Sequence, residues 1–299
     1  MQQTAWCCDC AEQLGIDFVM HLGDVVQHGN EKPLQWEVAK AALAQLQHCD
    51  MPYSVLPGNH DYDQHADNYQ LYDKSIHLPD AAGRRNGLDR NTYYLVPDGA
   101  GGELLLLSLQ YESGEVRSWA SDVLAQHSDT PAIIASHYVT SDCSDSVSRT
   151  IRRLMRQHCN VFLAVGGHTF MCGGEDVSPV QNSCNQTRSA IVTDYQGRRR
   201  GGSGWLRYYQ LSQQRLCAYT YSPLLREYEL DSDSYFSIDL ASGQLGAGCA
   251  LEPPCNSAYV PMGFVLGIFY VLAIDFVVLG LFFGRAEFAV DSKVKFLLK

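Results

Sequence analysis

Short apolar runs that end in the same kinds of polar residue constrain the fold of this chain more than any other feature of its sequence. The runs, each with the polar residues that follow it, are DFVMHLGD up to Asp24, YSVLPGNH up to Asn59 and His60, PAIIASH up to His137, and VFLAVGGH up to His168. Runs of this length between helical patterns are typical of buried strands in an α/β sheet. Because the strand ends of such a sheet open onto one crevice, we expect these side chains to share one site.

The residue types at these strand ends suit a divalent metal ion. Asp24 and Asn59 offer oxygen atoms and the histidines offer nitrogen atoms, a mixture that manganese, iron and zinc accept. These segments contain no cysteine, so a thiolate zinc site is excluded there. A single Gly-Asp turn or a lone histidine is usually structural. The whole set, in order and at strand ends, predicts a metal centre.

Residues 1–248 are predicted to form one α/β domain. The expected helices are residues 3–14, Leu34–Gln47, Glu115–His127 and Ser146–His158, and further strands are expected at Leu104–Leu109, Trp205–Leu211 and Leu216–Tyr221. The pattern becomes hairpin-like from Ala190 onwards. Alternating strands and helices followed by hairpins predict two sheets rather than a helical bundle or an all-β barrel.

The charge balance excludes one class of partner. The chain has 22 basic and 33 acidic residues, which gives a formal net charge of -11 at pH 7. Nucleic-acid backbones attract surfaces rich in lysine and arginine. We therefore expect no nucleic-acid-binding surface.

A long apolar stretch near the C-terminus predicts a contact with a membrane. Pro261–Gly284 carries a single charge, at Asp275. At 1.5 Å rise per residue such a stretch is long enough to cross ~30 Å of hydrocarbon as a helix. We therefore predict a transmembrane helix over residues 261–284, with residues 249–260 as a linker and residues 285–299 as a short basic tail.

The flanks of this stretch predict its orientation. Basic residues concentrate on the cytosolic side of membrane spans, so the tail is expected in the cytosol and the large domain in a lumen or outside the cell. The Asn185-Gln186-Thr187 sequon is consistent with glycosylation there. Cys249 with Cys255, and Cys172 with Cys184, are plausible disulfides in an oxidising space. Because MQQTAWCCDC lacks the apolar core of a signal peptide, a tail-anchored protein with a cytosolic domain is the alternative.

These motifs resemble those of the calcineurin-like metallophosphoesterase superfamily. That family carries, in order, D-x-H, G-D, G-N-H-[DE], a lone His and G-H-x-H, and the chain matches it at Gly23-Asp24, Gly58-Asn59-His60-Asp61, His137 and Gly167-His168. The segment Asp194-Tyr195-Gln196-Gly197 looks like one found in a bacterial subgroup. The resemblance implies two packed sheets flanked by helices. It also implies hydrolysis of phosphate mono- or diesters through a metal-bound hydroxide.

The resemblance assigns roles to individual residues. Asp24 would bridge two metal ions, and Asn59, His137 and His168 would complete the second ion's ligands. His60 would act near the leaving oxygen, and Asp61 would hold the His60 ring by a hydrogen bond. The family's D-x-H motif is absent, and Phe170 stands in place of its last histidine. The family binds two ions, and this chain retains the full ligand set of one.

Two functions stay open at this point. In the first, the chain is an N-terminally incomplete part of an active, membrane-anchored phosphoesterase that acts on a phosphate-ester substrate. In the second, it is a catalytically inactive relative that acts as a membrane-bound binding module. The basic triplet Arg198–Arg200 either contacts substrate phosphate or lies in a solvated loop.

Overall fold

The computed structural model describes residues 1–29, 31–62, 69–98, 101–110, 114–141, 144–171, 173–251, 255, 276–281 and 293–298. Within these residues, two β-sheets pack face to face, and helices cover the outer face of each sheet. The result is an α/β/β/α sandwich, in agreement with the α/β class that the sequence predicts.

The described helices are α1 (Gln2–Leu14), α2 (Pro33–His48), α3 (Gln70–Ser75), α4 (Gly114–Gln126), α5 (Arg149–Gln157) and α6 (Arg199–Gly202). The described strands up to residue 166 are β1 (Ile16–His21), β2 (Tyr53–Val55), β3 (Gly83–Arg84), β4 (Thr92–Pro97), β5 (Glu103–Leu109), β6 (Ala132–Ser136), β7 (Thr140–Ser141), β8 (Ser144–Val147) and β9 (Val161–Gly166). The later strands are β10 (Glu175–Gln181), β11 (Thr187–Thr193), β12 (Leu206–Ser212), β13 (Arg215–Ser222), β14 (Glu227–Glu229), β15 (Tyr235–Asp239), β16 (Leu245–Ala247), β17 (Phe276–Leu281) and β18 (Lys293–Leu298).

The strand order places the ends of several parallel strands at one edge. The first sheet runs β16–β15–β13–β12–β18–β17–β1–β2, with β14 paired to β13, and the second runs β10–β11–β9–β6–β5–β4–β3. Strands β5, β6, β9 and β11 are parallel neighbours, and so are β1 and β2. The loops that follow β1, β2, β6 and β9 carry the polar residues that the sequence motifs predict as ligands.

Alternating side chains fill the space between the two sheets. On β5, Leu104 and Leu106 face the first sheet, whereas Leu105 and Leu107 face the helices outside. This period of two is what a strand with a buried layer on each side requires. The inner layer also contains Phe18, Met20, Leu56, Ile133, Ala135, Leu163, Val165, Ile191, Tyr209, Leu211, Phe236 and Ile238.

The helix predicted over residues 146–158 begins later than expected. Residues 144–147 form β8, which pairs with β7, and α5 starts at Arg149. Ser148 ends the strand and caps the helix, since its hydroxyl accepts a hydrogen bond from the N–H of Ile151. The serine-rich stretch before α5 therefore forms a cap and a β-ribbon rather than a first helical turn.

The disulfides differ from the predicted pairs. Those found among the described residues are Cys8–Cys49, Cys10–Cys255, Cys159–Cys184 and Cys217–Cys249. The prediction of a Cys249–Cys255 bond is wrong, because the fold brings each of these cysteines against a different partner. Cys184 bonds to Cys159 rather than to the predicted Cys172, which lies outside the described residues. Closeness in sequence therefore did not identify the partners.

Most of the predicted membrane span, residues 261–284, lies outside the described residues. The described part of it, residues 276–281, is the strand β17 rather than the predicted helix, and it pairs with β1. In the predicted tail, β18 pairs with β12 and β17. No helix in the described part of the chain is both long enough and apolar enough to cross a membrane.

A buried ion cluster is formed by Glu175, Tyr195, Arg198 and Arg207. Arg207 is fully buried and pairs with Glu175, and Arg198 pairs with the same carboxylate at 2.6 Å. The Tyr195 hydroxyl donates to Glu175 Oε1 at 2.7 Å. The Glu175 carboxylate thus has donors on both oxygens, as a buried charge requires.

Candidate metal centre

Asp24 lies just beyond β1 in a tight turn that joins two motif loops. The backbone angle φ is 97° at Gly23 and 51° at Asp24, both in the left-handed region. Gly58 approaches so closely that a Cβ atom there would lie 2.1 Å from Asp24 Oδ1. The backbone N–H of His60 donates to that same oxygen at 2.9 Å. The glycines of both motifs therefore allow the two loops to meet at the carboxylate.

His137 follows β6 and is almost fully buried, with 1% of the residue exposed. Its Nδ1 lies 2.8 Å from the carbonyl oxygen of Leu22. A carbonyl oxygen only accepts, so Nδ1 carries a proton, and in the neutral ring the Nε2 lone pair faces the site. Metal-binding histidines are commonly held by such a backbone carbonyl.

The other predicted ligands surround His137 Nε2. Asn59 Oδ1 lies 2.9 Å away, His168 Nδ1 3.0 Å away and Asp24 Oδ2 3.3 Å away. One ligand atom each from Asp24, His137 and His168 lies within 4.8 Å of the others. The structure thus brings the predicted metal ligands to one point, although they come from loops of both sheets.

This donor set fits a divalent cation. When His137 is neutral and its Nδ1–H donates to the Leu22 carbonyl, three groups present lone pairs to one another. They are the Asp24 carboxylate, the Asn59 carboxamide oxygen and His137 Nε2. Lone pairs that face each other in a buried place repel unless a cation or a proton lies between them. Oxygen and imidazole donors in this mixture suit manganese, iron or zinc.

Without a metal ion, a proton on His137 supplies the positive charge that the Asp24 carboxylate requires. Burial opposes ionisation of Asp24, but His137 and the N–H of His60 lower its pKa. Burial alone would lower the pKa of His137, yet the Asp24 carboxylate raises it to about 9. Burial and the nearby His137 lower the pKa of His168. Asp24 is therefore the negative charge on which the site depends.

Asp61 does not hold the His60 ring, contrary to what the family resemblance implied. Its carboxylate is 1% exposed and accepts hydrogen bonds from the backbone N–H groups of Val25, Val26 and Gly58 at 2.8–3.0 Å. Burial and the charge of Asp24 raise its pKa to about 7, against the effect of those N–H groups. Asp61 therefore fastens the Asp24 loop to the Asn59 loop and acts on the site through the backbone.

Gln27, which the sequence analysis did not single out, is the partner of His60. Its side-chain nitrogen lies 2.9 Å from His60 Nδ1, and its backbone oxygen lies 3.1 Å from the same atom. The side-chain amide donates when the His60 proton is on Nε2, and the backbone oxygen accepts when the proton is on Nδ1. In both tautomers Gln27 fixes the ring. His60 stays accessible, with 39% of its side chain exposed.

The family's first metal ion is held in part by the last histidine of its motifs, and this chain has Phe170 at that position. Phe170, in place of the last histidine, is 42% exposed. A Cβ atom at residue 197 would lie 2.6 Å from its ring, so the phenyl group packs directly on Gly197. A phenyl ring offers no ligand atom.

The Arg198–Arg200 triplet does not act as a unit. Arg198 forms ion pairs with Glu175 and Glu229 and lies over the Tyr195 ring at 4.4 Å from its centroid. Arg199 and Arg200 are exposed. Arg198 is therefore committed to the buried ion cluster and is not available to a substrate.

The fold and the set of candidate ligands are matched by one family of known proteins. Residues 4–172, more than half of the chain, match the calcineurin-like phosphoesterase family. The chain therefore belongs to that family.

Two curated relatives are similar over much of the chain. The uncharacterized protein YvnB of Bacillus subtilis (strain 168) is 27% identical over 257 residues, which is 80% of this chain and 20% of that protein. A probable cyclic nucleotide phosphodiesterase of Moraxella catarrhalis (strain BBH18) is 26% identical over 178 residues, 54% of this chain and 59% of that protein. The chain thus spans only part of the length of each.

A solved structure shares the fold. A dimetal phosphatase from Danio rerio aligns with a TM-score of 0.50 and 13% identity, over 80% of this chain and 88% of that one. At this identity, the likeness concerns the fold alone.

Proposed function

We propose that this chain hydrolyses phosphate esters, with divalent metal ions held by Asp24, Asn59, His137 and His168. The observation that carries the proposal is the convergence of four ligand atoms beside an accessible histidine. Membership of the calcineurin-like phosphoesterase family supports it. The Moraxella relative, a probable cyclic nucleotide phosphodiesterase, is in line with it.

When bound, such ions supply Lewis acidity and lower the pKa of coordinated water toward about 7. The chain's own contribution begins with orientation. Asp61 holds the loops that present Asp24 and Asn59, and the Leu22 carbonyl directs His137 Nε2 inward. Rigid placement of this kind lowers the barrier, because the donors need no rearrangement during the reaction.

His60 is the proposed proton donor to the leaving oxygen. Its Nε2 lies 3.9 Å from Asp24 Oδ2, on the open side of the ligand cluster. With Gln27 donating to Nδ1, the Nε2 atom carries the proton and can pass it to the departing alcohol. Overall, water adds one oxygen to phosphorus, the phosphorus–oxygen ester bond breaks, and the alcohol leaves protonated.

Turnover of a chromogenic ester by the full chain tests this proposal. We expect release of p-nitrophenol with added Mn²⁺, and a loss of about 10²-fold or more in kcat for His60→Ala. Gln213→Ala, in the β12–β13 turn, is a matched control that should match the wild type. Equal rates for wild type and His60→Ala would overturn the proposal.

A binding module without turnover is the second candidate, and Phe170 in a ligand position of the family favours it. It predicts that Mn²⁺ binds, as measured by calorimetry, while no ester is cleaved above the His60→Ala background. The two assays together therefore separate the candidates.

For the compartment, we propose a lumenal or extracellular domain anchored through residues 261–284. The four disulfides among the described residues support this, because cytosolic thiols are kept reduced. Asn185 is exposed in the turn between β10 and β11, as a glycosylation site requires. A tail-anchored protein with a cytosolic domain is the alternative.

Protease protection in sealed microsomes distinguishes these topologies. We expect residues 1–248 to survive digestion until detergent is added. We also expect glycosidase treatment to increase the mobility of the wild type but not of Asn185→Gln. Digestion without detergent would overturn the lumenal placement.

A further inference from the structure

A cavity of about 370 Å³ lies between the two sheets, at the edge opposite the metal centre. Its walls come from the start of β5 and from the residues just before β6 and β9 in the second sheet, and from the end of β12 in the first. The metal ligands His137 and His168 follow the other ends of β6 and β9. Cavities of roughly 300–1,000 Å³ commonly hold small molecules. This cavity is therefore a candidate binding site that is separate from the metal centre.

Much of the wall of this cavity is apolar. Leu104 and Phe162 line it from the second sheet, and Leu211 and Leu240 line it from the first. All four side chains belong to the inner layer between the sheets or pack against it. A ligand that fits the cavity must therefore bring an apolar part to this wall.

Arg188, in the first turn of residues of β11, brings a cationic group to the cavity. Its Nη1 donates to the carbonyl oxygen of Leu240 at 2.6 Å, which links β11 to the residue that follows β15 in the other sheet. Its Nε is buried and has no hydrogen-bond partner among the described residues. A buried donor without an acceptor is costly, so an acceptor supplied by a ligand would stabilise this group.

Arg207 shows how a buried guanidinium is satisfied elsewhere in this protein. Burial acts to lower the pKa of Arg207, but Tyr195 and Glu175 outweigh burial and raise that pKa. At Arg188, burial lowers the pKa and no acidic neighbour offsets the effect. The charge of Arg188 is therefore left for a partner that the described residues do not provide.

Carboxylates line the other side of the cavity. Glu103 begins β5, Asp98 follows β4, and Asp129 lies before β6. Strands β11 and β5 are three strand spacings apart in the second sheet, which places about 14 Å between their backbones. Arg188 forms no ion pair with any of these carboxylates. The cavity thus has a cationic end, an apolar wall and an acidic end.

The walls are fixed before any ligand binds. Cys159, which lines the cavity, is bonded to Cys184 in the turn between β10 and β11. The side-chain nitrogen of Asn160 donates to three carbonyl oxygens, in α4 and in the loop after it, at 3.0–3.3 Å. A preformed site loses little conformational freedom when it binds a ligand.

We infer that this cavity binds a small zwitterion with an apolar middle, its carboxylate on Arg188 and its ammonium group beside Glu103. A carboxylate oxygen accepts well from a guanidinium N–H, because both groups are charged. An anion without the ammonium group would meet three carboxylates at the far end. A cation without the carboxylate would leave Arg188 Nε without an acceptor. The site is independent of the proposed hydrolysis, since it lies at the other edge of the sheet.

Three eight-carbon probes test the inference by calorimetry on the full chain. 8-Aminooctanoic acid carries both charges, octanoic acid carries only the carboxylate, and octylamine carries only the ammonium group. We expect the wild type to bind 8-aminooctanoic acid about 10-fold more tightly than either of the other probes. For Arg188→Met, we expect the affinities for 8-aminooctanoic acid and octanoic acid to fall by about 10- to 100-fold, while that for octylamine does not fall.

Two exposed positions provide the second test and the control. Glu103→Gln should weaken the binding of 8-aminooctanoic acid and octylamine by about 2- to 5-fold without weakening that of octanoic acid. This comparison tests the inference whether or not Arg188→Met folds. Arg153→Met, on the exposed face of α5, removes the same charge as Arg188→Met and should change none of the three affinities.

Three results would overturn the inference. The first is equal affinity of the wild type for the three probes, which would mean nonspecific apolar binding. The second is unchanged binding of 8-aminooctanoic acid by a folded Arg188→Met or by Glu103→Gln. The third is the absence of any binding of 8-aminooctanoic acid by the wild type at millimolar concentration.

Discussion

The metal centre and the buried ion cluster both bury charge in the same sandwich, but they treat it in opposite ways. In the ion cluster, two guanidinium groups and a tyrosine hydroxyl surround the carboxylate of Glu175, and donors meet acceptors. In the metal centre, oxygen and nitrogen acceptors surround His137 Nε2. The first arrangement is complete within the protein, whereas the second is completed by a cation.

Buried charge therefore has a structural role in the ion cluster and a functional role in the metal centre. A carboxylate that is fully satisfied by protein donors stabilises one geometry and offers nothing to a ligand. Acceptors that converge are costly to the folded protein until something positive binds between them. Substitutions in the two regions should therefore act on different properties.

The largest effect is expected on activity at Asp24. Asp24→Asn removes the negative charge with little change in shape, so kcat on a phosphate ester should fall by about 10³-fold or more. Mn²⁺ binding by calorimetry should weaken in parallel. The melting temperature without metal should fall modestly at neutral pH, because the substitution removes the charged partner of protonated His137. A marked fall in that temperature would mean that Asp24 is structural.

The opposite pattern is expected at Arg207. Arg207→Met leaves Glu175 buried with part of its charge uncompensated, which should cost about 3–5 kcal/mol in the free energy of unfolding. Urea denaturation measures this loss. Adding Glu175→Leu should recover much of it, and the activity of the folded fraction should remain near that of the wild type. Metal affinity that fell with stability would show that the two regions are coupled.

A smaller effect is expected at Gln27, where a hydrogen bond serves chemistry rather than stability. Gln27→Ala frees the His60 ring, so kcat should fall by about 10- to 100-fold with KM nearly constant. Thermal denaturation should be unchanged, and Gln213→Ala should match the wild type in both assays. A rise in KM at constant kcat would instead assign Gln27 to substrate binding.

The smallest effect is expected at Asp17, a partly buried carboxylate that belongs neither to the metal centre nor to the buried ion cluster. Its Oδ2 has no hydrogen-bond partner among the described residues, and burial raises its pKa to about 8. Because the folded state binds this proton more tightly than the unfolded state, stability should decrease as pH rises from about 4 to 8. Asp17→Asn should remove that dependence and stabilise the protein by about 1 kcal/mol at pH 8, after allowance for solvent screening.

Denaturation of both proteins across this pH range measures the difference. The wild type and Asp17→Asn should have nearly equal stability at pH 4 and should diverge above it. Parallel curves would show that Asp17 titrates normally in the folded state.

The sequence predicted the strand-end ligands because their geometry follows from the topology. Parallel strands deliver their last residues to the same edge of their sheet, so Asp24 with Asn59, and His137 with His168, were identifiable as neighbours. That the two pairs meet depends on how the two sheets pack. The alternating leucines of β5 were predictable for a similar reason, since a strand has a fixed period.

Features that depend on the path of a loop were not predictable in this way. The partner of His60 is Gln27 rather than Asp61, because the turn after Asp24 carries Gln27 back over the ring. Asp61 instead lies beneath both loops, where backbone N–H groups converge. The Cys249–Cys255 prediction was wrong for a related reason, because spacing along the chain does not report which elements pack together.

The bond between Cys10 and Cys255 also has a mechanical consequence. It joins α1 to a residue 245 positions later in the chain, beyond β16. A pulling force applied to the chain after residue 255 would pass through this bond into α1. The strands from β12 to β16 lie inside the covalent loop and would carry little of that load. A force applied directly after residue 255 would therefore bypass the strands from β12 to β16, whereas a force applied beyond β18 would enter the first sheet through β1 and β12.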